Sequence, residues 1–198
     1  MKIAAVKSSV ANVANAATPP VAPSHITDKK ALREQARKGV GKGAVTPDYT
    51  LDRVAVCAHL NDALATELVC FLRYKRHYYT AKGIHGRFVA AEFQEHAGQE
   101  LAHAEQLAER IMQLGGTPDF NPAGLAERSH AEYHDGLVLQ DMIREDLIAE
   151  RIAIESYRAL VRFLGNEDPT TRLLVESILA MEEQHADDLV DLLESAAN

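Results

Sequence analysis

The chain has 198 residues, of which 46% are hydrophobic and none is tryptophan, and its formal net charge is −8. That length and apolar content suffice for one hydrophobic core, so we expect a single compact domain. Met1 to Thr18 lacks the continuous apolar run of a signal peptide, and we expect no segment to span a membrane. The composition therefore argues against a secreted or membrane-inserted protein.

The first 50 residues differ from the rest of the chain. Residues 10–23 are rich in Ala, Asn and Pro, and the Gly39 to Gly43 segment is flexible by composition, so we expect an N-terminal extension that packs weakly. This extension carries eight Lys or Arg against three Asp or Glu, a net charge of +5, which leaves −13 for residues 51–198. A basic arm of this kind can bind DNA by neutralising phosphates, or it can be a solvated terminus.

Residues 51–198 contain four segments in which selected positions recur at alternating steps of three and four, the spacing that lines one buried face of a helix. We therefore predict an all-α fold, an antiparallel four-helix bundle. Ionisable residues interrupt the middle of each apolar stripe. In chain order, the stripes are Leu60, Leu64, Glu67, Phe71 and Tyr74; Phe93, His96, Glu100, His103 and Leu107; Leu139, Ile143, Asp146, Glu150, Ala153, Tyr157 and Leu160; and Val175, Ile178, Glu182, His185, Leu189 and Leu192.

These ionisable residues repeat between the two halves of the domain. Glu-x-x-His occurs at Glu100 to His103 and at Glu182 to His185, and a lone glutamate, Glu67 or Glu150, precedes each motif by 33 or 32 positions. Burying unpaired carboxylates costs several kcal/mol each, in a domain whose total stability is about 5 to 15 kcal/mol. Two divalent cations would neutralise the four glutamates, and the two neutral imidazoles would add nitrogen ligands. The pattern therefore predicts a two-metal site inside the bundle.

The predicted turns place the two halves of this site at one height, because residues equally distant from a hairpin turn lie level with each other. The midpoint of Glu67 and the first motif falls beside Gly83, and that of Glu150 and the second motif falls at Asn166. Gly165 is a predicted helix C-terminus, with Asp168 as N-cap and Pro169 as first residue of the next helix.

The two predicted hairpins are joined by one long connection, Gly115 to Asp135, which contains several Gly and Pro residues. A crossover of this kind can join two helical hairpins into one four-helix bundle. We expect a short helix within it, around Leu125 to Glu132.

The chain resembles the ferritin superfamily, and within it the bacterioferritin-related proteins that assemble as small Dps-like shells. The resemblance covers about residues 51–195 and is carried by the two motifs together with Leu60 to Glu67, Arg73 to Tyr79 and Ala149 to Ile154. It implies a di-iron centre, two Fe ions per subunit. It matches Glu67 and Glu150 to terminal carboxylates, Glu100 and Glu182 to carboxylates that bridge both metals, and His103 and His185 to the nitrogen ligands.

Three further residues on the stripes lie near these ligands. Tyr74 matches a tyrosine that lies beside the centre in bacterioferritins and can supply an electron or a hydrogen bond, and an ordinary core tyrosine is the alternative. Asp146, one turn before Glu150, is expected to accept the second ring N–H of a ligand histidine. His96, one turn before Glu100, is left outside the primary site, either as a core histidine or as an aid to iron entry.

Two departures from bacterioferritin change what the resemblance implies. Leu101 stands where that family has a haem-ligating methionine, so we expect no haem. Only 13 residues follow His185, too few for the additional C-terminal helix of larger cages, which favours a twelve-subunit shell.

Cys57 and Cys70 are 13 positions apart on one predicted helix, about 20 Å along its axis, so they cannot form an intrachain disulfide there. Without a Cys-x-x-Cys pair the chain also lacks a rubredoxin-type iron site. Reduced thiols fit a cytoplasmic protein.

The function expected from these observations is ferroxidase activity with iron storage: Fe(II) is oxidised by O2 or H2O2 and stored as Fe(III) in a homo-oligomeric cage, which limits oxidative stress. Carboxylate oxygens with one imidazole per metal suit iron or manganese, and zinc accepts the same donors. One alternative is a di-manganese catalase or rubrerythrin-like peroxidase without mineral storage. Another is a Dps-like DNA-binding protein in which the metal site is ancillary.

Overall fold

The computed structural model describes residues 28–196, and these residues form helices and turns without a strand. The predicted all-α fold, a four-helix bundle, is confirmed. The six helices are α1 (Lys29–Arg37), α2 (Arg53–Thr80), α3 (Gly86–Gln113), α4 (Leu125–Arg128), α5 (Leu139–Leu164) and α6 (Pro169–Ala196).

Helices α2 and α3 form one antiparallel hairpin, and helices α5 and α6 form the other. The hairpins then pack together through α2 against α5 on one side and α3 against α6 on the opposite side. At the second turn, Gly165 has a positive φ of 53°, and the Asp168 carboxylate accepts the backbone N–H of Thr171 at 2.9 Å. The predicted helix end, N-cap and first residue Pro169 are therefore confirmed.

The four long helices bury two apolar clusters, one toward each end of the bundle from the central ionisable residues. One cluster includes Val56, Leu60 and Ile111, and the other includes Val89, Phe93 and Leu189. Each helix contributes to both clusters. The carboxylates and imidazoles in the middle of the stripes are thus held between two well-packed layers.

The crossover between α3 and α5 contains the predicted short helix, although α4 ends at Arg128 rather than Glu132. Gly116 stands at its beginning, where a Cβ atom would lie 2.7 Å from the Cys57 sulfur. Further along, buried side chains of α2 hold the loop: Arg73 donates to the Glu132 carbonyl at 2.8 Å, and His77 Nε2 lies 3.1 Å from the carbonyls of His134 and Asp135.

The N-terminal extension was predicted to span residues 1–50, and residues 1–27 of it lie outside the described residues. Residues 28–40 form one compact unit and residues 41–196 another. Helix α1 begins after the N-cap Asp28 and has no buried residue. Tyr49 belongs to the bundle unit, because its hydroxyl donates to Asp168 at 2.8 Å.

Helix α2 has the length and apolar composition of a membrane span, although we expected no segment to span a membrane. The same composition is typical of a helix at the centre of a bundle, and α2 buries Glu67 and Arg73 there. Cys57 and Cys70 both lie on α2, buried and without a disulfide, as predicted. Burial raises the pKa of the Cys70 thiol well above its usual value.

Candidate metal centre

All six predicted site residues lie in the middle of the bundle, and none is more than 4% exposed. Their ligand atoms fall into two groups of four, within which all atoms lie within 4.8 Å of one another. Glu100 and Glu182 belong to both groups, which is the arrangement that two bridging carboxylates require. The first group is Glu67, Glu100, His103 and Glu182, and the second is Glu100, Glu150, Glu182 and His185.

Each histidine turns its Nδ1 atom toward the carboxylates. His103 Nδ1 lies 3.2 Å from Glu67 Oε2 and 3.0 Å from Glu182 Oε1. His185 Nδ1 lies 3.3 Å from Glu100 Oε1 and 3.4 Å from Glu182 Oε2. The two halves of the centre therefore have matching geometry, with Glu182 facing both imidazoles.

Several of these buried atoms lack a hydrogen-bond partner within the described residues. They are Glu100 Oε1, Glu150 Oε2, both carboxylate oxygens of Glu182, and His185 Nδ1. A buried polar atom without a partner costs about 1–3 kcal/mol, and more when it is charged. Because these atoms converge on one space and are oxygen and nitrogen donors, they fit divalent cations, which would satisfy them all.

The buried carboxylates and imidazoles of the centre change one another's pKa values. Burial and the neighbouring carboxylates raise the pKa values of Glu100 and Glu182 well above the usual range. Burial would also raise the pKa of Glu150, but the nearby His185 imidazole lowers that pKa to about 2. Burial opposes the charge on His185, yet the nearby carboxylates of Glu100, Glu150 and Glu182 raise its pKa to about 12. Without a bound cation, these shifts favour the protonated forms of Glu100, Glu182 and His185.

Metal binding should accordingly release protons. The raised pKa values of Glu100, Glu182 and His185 favour their protonated forms in the metal-free protein, and each group must be deprotonated to bind a cation. We expect protons to be released on anaerobic loading with Zn(II), and the apparent affinity for the metal to rise as the pH rises. Titration of a lightly buffered solution in a pH-stat measures the release. Binding without proton release would contradict this account of the centre.

Two tyrosines connect the hairpins at the centre. The hydroxyl of Tyr74, on α2, donates to Glu150 on α5, while the hydroxyl of Tyr157, on α5, donates to Glu67 on α2. The position predicted for Tyr74 beside the centre is therefore observed. Tyr157 was predicted only as part of an apolar stripe, yet it makes the equivalent contact. Each tyrosine follows the lone glutamate of its own helix by seven residues, a repeat that is visible in the sequence.

The prediction for Asp146 was wrong. Its carboxylate accepts from Arg73 Nε and from His77 Nδ1, both at 2.8 Å, and from no ligand histidine. The outer nitrogen of His185, Nε2, instead lies 2.7 Å from the side-chain oxygen of Gln99. Sequence analysis missed Gln99 because it lies beside its helical stripe rather than on it.

His96 lies closer to the centre than its exclusion from the primary site suggests. Its ring stacks on that of His185, with centroids 4.1 Å apart, and its Nδ1 lies 3.3 Å from the Tyr74 hydroxyl. Burial and the charge of His185 lower the pKa of His96 to about 4.

Comparison with known proteins agrees with this architecture. The family model for the ferritin-like domain matches residues 57–197. The chain belongs to the ferritin family. The matched region contains all six buried carboxylates and imidazoles of the candidate centre.

Among ferritin relatives, a nutrient stress-induced DNA-binding protein of Synechococcus sp. is 35% identical over 136 residues, 66% of this chain and 76% of that protein. A bacterioferritin of Mycobacterium bovis is 28% identical over 68% of this chain and 81% of its own length. Among solved structures, the bacterioferritin-related protein of Bacteroides fragilis, a dodecameric thioferritin, has a TM-score of 0.72 and 32% identity. That match covers 74% of this chain and 89% of the other.

Proposed function

We propose that this ferritin-like protein oxidises Fe(II) at the buried dinuclear centre and stores the ferric product in a homo-oligomeric cage. The proposal rests on the geometry of Glu100 and Glu182, whose oxygens without hydrogen-bond partners face both halves of the centre. Ferritin, bacterioferritin and Dps proteins serve iron storage and protection against oxidative damage. Glu67, Glu100, His103, Glu150, Glu182 and His185 would be the ligands.

The donor set suits this substrate. Four carboxylates carry a formal charge of −4, which two Fe(II) ions neutralise while both imidazoles stay neutral. Carboxylate oxygens with one imidazole per metal favour iron or manganese, and Zn(II) is a competent substitute because it accepts the same donors. This few-ligand arrangement leaves positions for an oxidant at each ion.

The oxidation is balanced by iron, oxidant and protons, and the protein's side chains hold the iron ligands in place. Two Fe(II) ions give one electron each, and with H2O2 and two protons they yield two Fe(III) ions and two water molecules. With O2 the same two electrons and two protons yield H2O2. Tyr74 and Tyr157 hold the terminal carboxylates Glu150 and Glu67 in place through their hydroxyls. Consuming peroxide in this way limits hydroxyl-radical formation.

Storage requires a hollow assembly. The Bacteroides fragilis relative is a dodecamer, and we propose the same twelve-subunit shell, in the cytoplasm, for this chain. The net charge of −13 on residues 51–198 would attract ferrous ions to such a shell.

Anaerobic titration with Fe(II), followed by addition of oxidant, tests the proposal when particle size is measured on the same sample. We expect about two Fe(II) ions per chain to be oxidised rapidly, and many more to be retained in a large particle. Stoichiometric binding with sustained peroxide turnover in a small oligomer would instead indicate a rubrerythrin-like peroxidase or a di-manganese catalase. Retention of no iron beyond the first two ions would contradict storage.

DNA binding is a second candidate function, because the Synechococcus relative is a DNA-binding protein and residues 1–50 carry a net charge of +5. If the arm binds phosphates, gel retardation of DNA will weaken steeply as salt rises. It will also be lost when residues 1–45 are removed, while Fe(II) oxidation is kept. Retardation that survives the truncation would contradict a role for the arm.

A further inference from the structure

A cavity of about 460 Å³ lies between α2, α5 and the crossover, and it extends to a side chain that bonds the dinuclear centre. Tyr157 lines this cavity, and its hydroxyl donates to Glu67, one of the six proposed ligands. Tyr157 is 1% exposed, so it separates the cavity from the centre. The volume lies within the range of about 300–1,000 Å³ that small-molecule sites occupy. The cavity can therefore hold a small molecule one side chain away from a metal ligand.

The walls of the cavity are mainly apolar and aromatic. Ala63 of α2 and Leu160 and Phe163 of α5 line it, together with His59 and Tyr157. The Phe163 ring meets the His59 ring edge to face, with centroids 4.8 Å apart, yet Phe163 remains 42% exposed. Part of its ring is thus left for a further contact, and aromatic rings pair favourably in edge-to-face or offset arrangements. These walls suit a planar aromatic ligand.

An imidazole from the crossover, His130, adds a polar group to the cavity. Thr66, the residue before Glu67, orients this imidazole: the His130 backbone N–H donates to Thr66 Oγ1 at 3.0 Å, and His130 Nδ1 lies 3.1 Å from the same oxygen. The Thr66 hydroxyl donates its own proton to the Asp62 carbonyl at 2.9 Å, so His130 Nδ1 is the donor to Thr66. In a neutral imidazole with that tautomer, Nε2 is an acceptor. A hydroxyl group on an aromatic ligand can donate to it.

An aromatic ring that carries two hydroxyl groups, a hydroquinone, satisfies both kinds of wall, and it is also a reductant. The proposed storage function needs a reductant, because stored Fe(III) must be reduced before it can leave as Fe(II). Oxidation of one hydroquinone to its quinone gives two electrons and two protons, and the electrons convert two Fe(III) ions to two Fe(II) ions. The path from the Tyr157 ring to its hydroxyl and on to Glu67 leads from the cavity to the metals.

We propose that this cavity binds a hydroquinone, which returns electrons through Tyr157 to Fe(III) at the centre and so allows stored iron to be released. His130 Nε2 accepts one of the two hydroxyl protons as the electrons leave, and water accepts the other. The redox role rests on the proposed function, whereas binding of the hydroquinone rests on the walls of the cavity alone.

Tetramethylhydroquinone is the probe for the test, because its oxidised form has no free ring position to which a thiol could add. Anaerobic calorimetric titration of the metal-free full chain measures binding, and crystals of the same complex locate the ligand. Ala159→Trp fills the cavity from an exposed position on α5 that lines it. Ala91→Trp is the matched control, since it makes the same change at an exposed position on α3. Particle size measured on each protein verifies that assembly is unchanged.

We expect one hydroquinone per chain, with density against Tyr157, and an affinity at least about tenfold lower in Ala159→Trp but not in Ala91→Trp. In Fe(III)-loaded protein, the initial rate of Fe(II) release to a ferrous chelator should saturate with hydroquinone concentration. That rate should fall severalfold in Ala159→Trp, while its Fe(II) oxidation stays at the wild-type rate.

Equal affinities or equal release rates in the three proteins, or density only outside the cavity, would overturn the proposal. Failure of the proposed function would show separately, as a protein that binds the hydroquinone in the cavity but oxidises no Fe(II).

Discussion

Glu182→Gln should reduce rapid Fe(II) oxidation by at least about 100-fold, because it removes the carboxylate that faces both imidazoles. Losing a group that only orients a ligand typically weakens metal affinity or activity about 10–100-fold, and losing a bridging ligand should do more. Glutamine preserves the size of the side chain, so the packing of α6 remains. Stopped-flow oxidation of anaerobically loaded protein measures the rate.

Glu183→Gln is the matched control for this variant. Glu183 is the next residue, and its side chain is 48% exposed and paired with Arg158 on the surface. The Glu183→Gln variant should oxidise Fe(II) like the wild type. The metal-free Glu182→Gln protein should not be less stable than wild type, since burial and the neighbouring carboxylates raise the pKa of Glu182 and favour its neutral form. Unchanged oxidation in Glu182→Gln would remove Glu182 from the ligand set.

The largest effect on stability is expected from Asp146→Ala. Asp146 is fully buried and is the carboxylate partner of both Arg73 and His77. Removing it leaves the buried Arg73 guanidinium without its counter-ion, which typically costs about 3–5 kcal/mol. For a domain of this size the melting temperature should fall by on the order of 10 °C. Chemical and thermal unfolding of the metal-free protein measure both quantities.

Glu176→Ala gives the comparison for a pair on the surface. Glu176 bonds Arg172 at 2.7 Å, but both side chains are more than a third exposed, and such pairs contribute about 0–1 kcal/mol. If Asp146→Ala and Glu176→Ala lower the free energy of unfolding equally, the buried network does not hold α2 to α5.

The positions of the helices and of the six central side chains could be predicted because helical spacing states directly which residues face inward. Glu67 and Glu100 could also be placed level, since equal distances from the turn at Gly83 fix their heights. The residue types predicted the metal site, because four buried carboxylates require compensating positive charge whatever the details of packing.

The contacts between helices were harder to predict. The stripe shows that Asp146 faces inward, but not which side chain of which neighbouring helix meets it. Arg73 and His77 reach it from α2, although neither lies on the predicted stripe of that helix. Tyr157 was predicted only as a member of a stripe, whereas its hydroxyl donates to Glu67 across the bundle. The helical face on which a residue lies does not predict which groups the polar end of a long side chain will contact.

The crossed tyrosine contacts show that each hairpin completes the other. Each supplies one lone glutamate, one Glu-x-x-His motif and one tyrosine that reaches the opposite glutamate. The two hairpins thus make equivalent contributions to the centre, as two identical subunits would, although one covalent chain contains both. A peptide of half this length, dimerising about a twofold axis, would present the same six donor groups, so duplication and fusion of a single helical hairpin is a sufficient evolutionary origin for this fold.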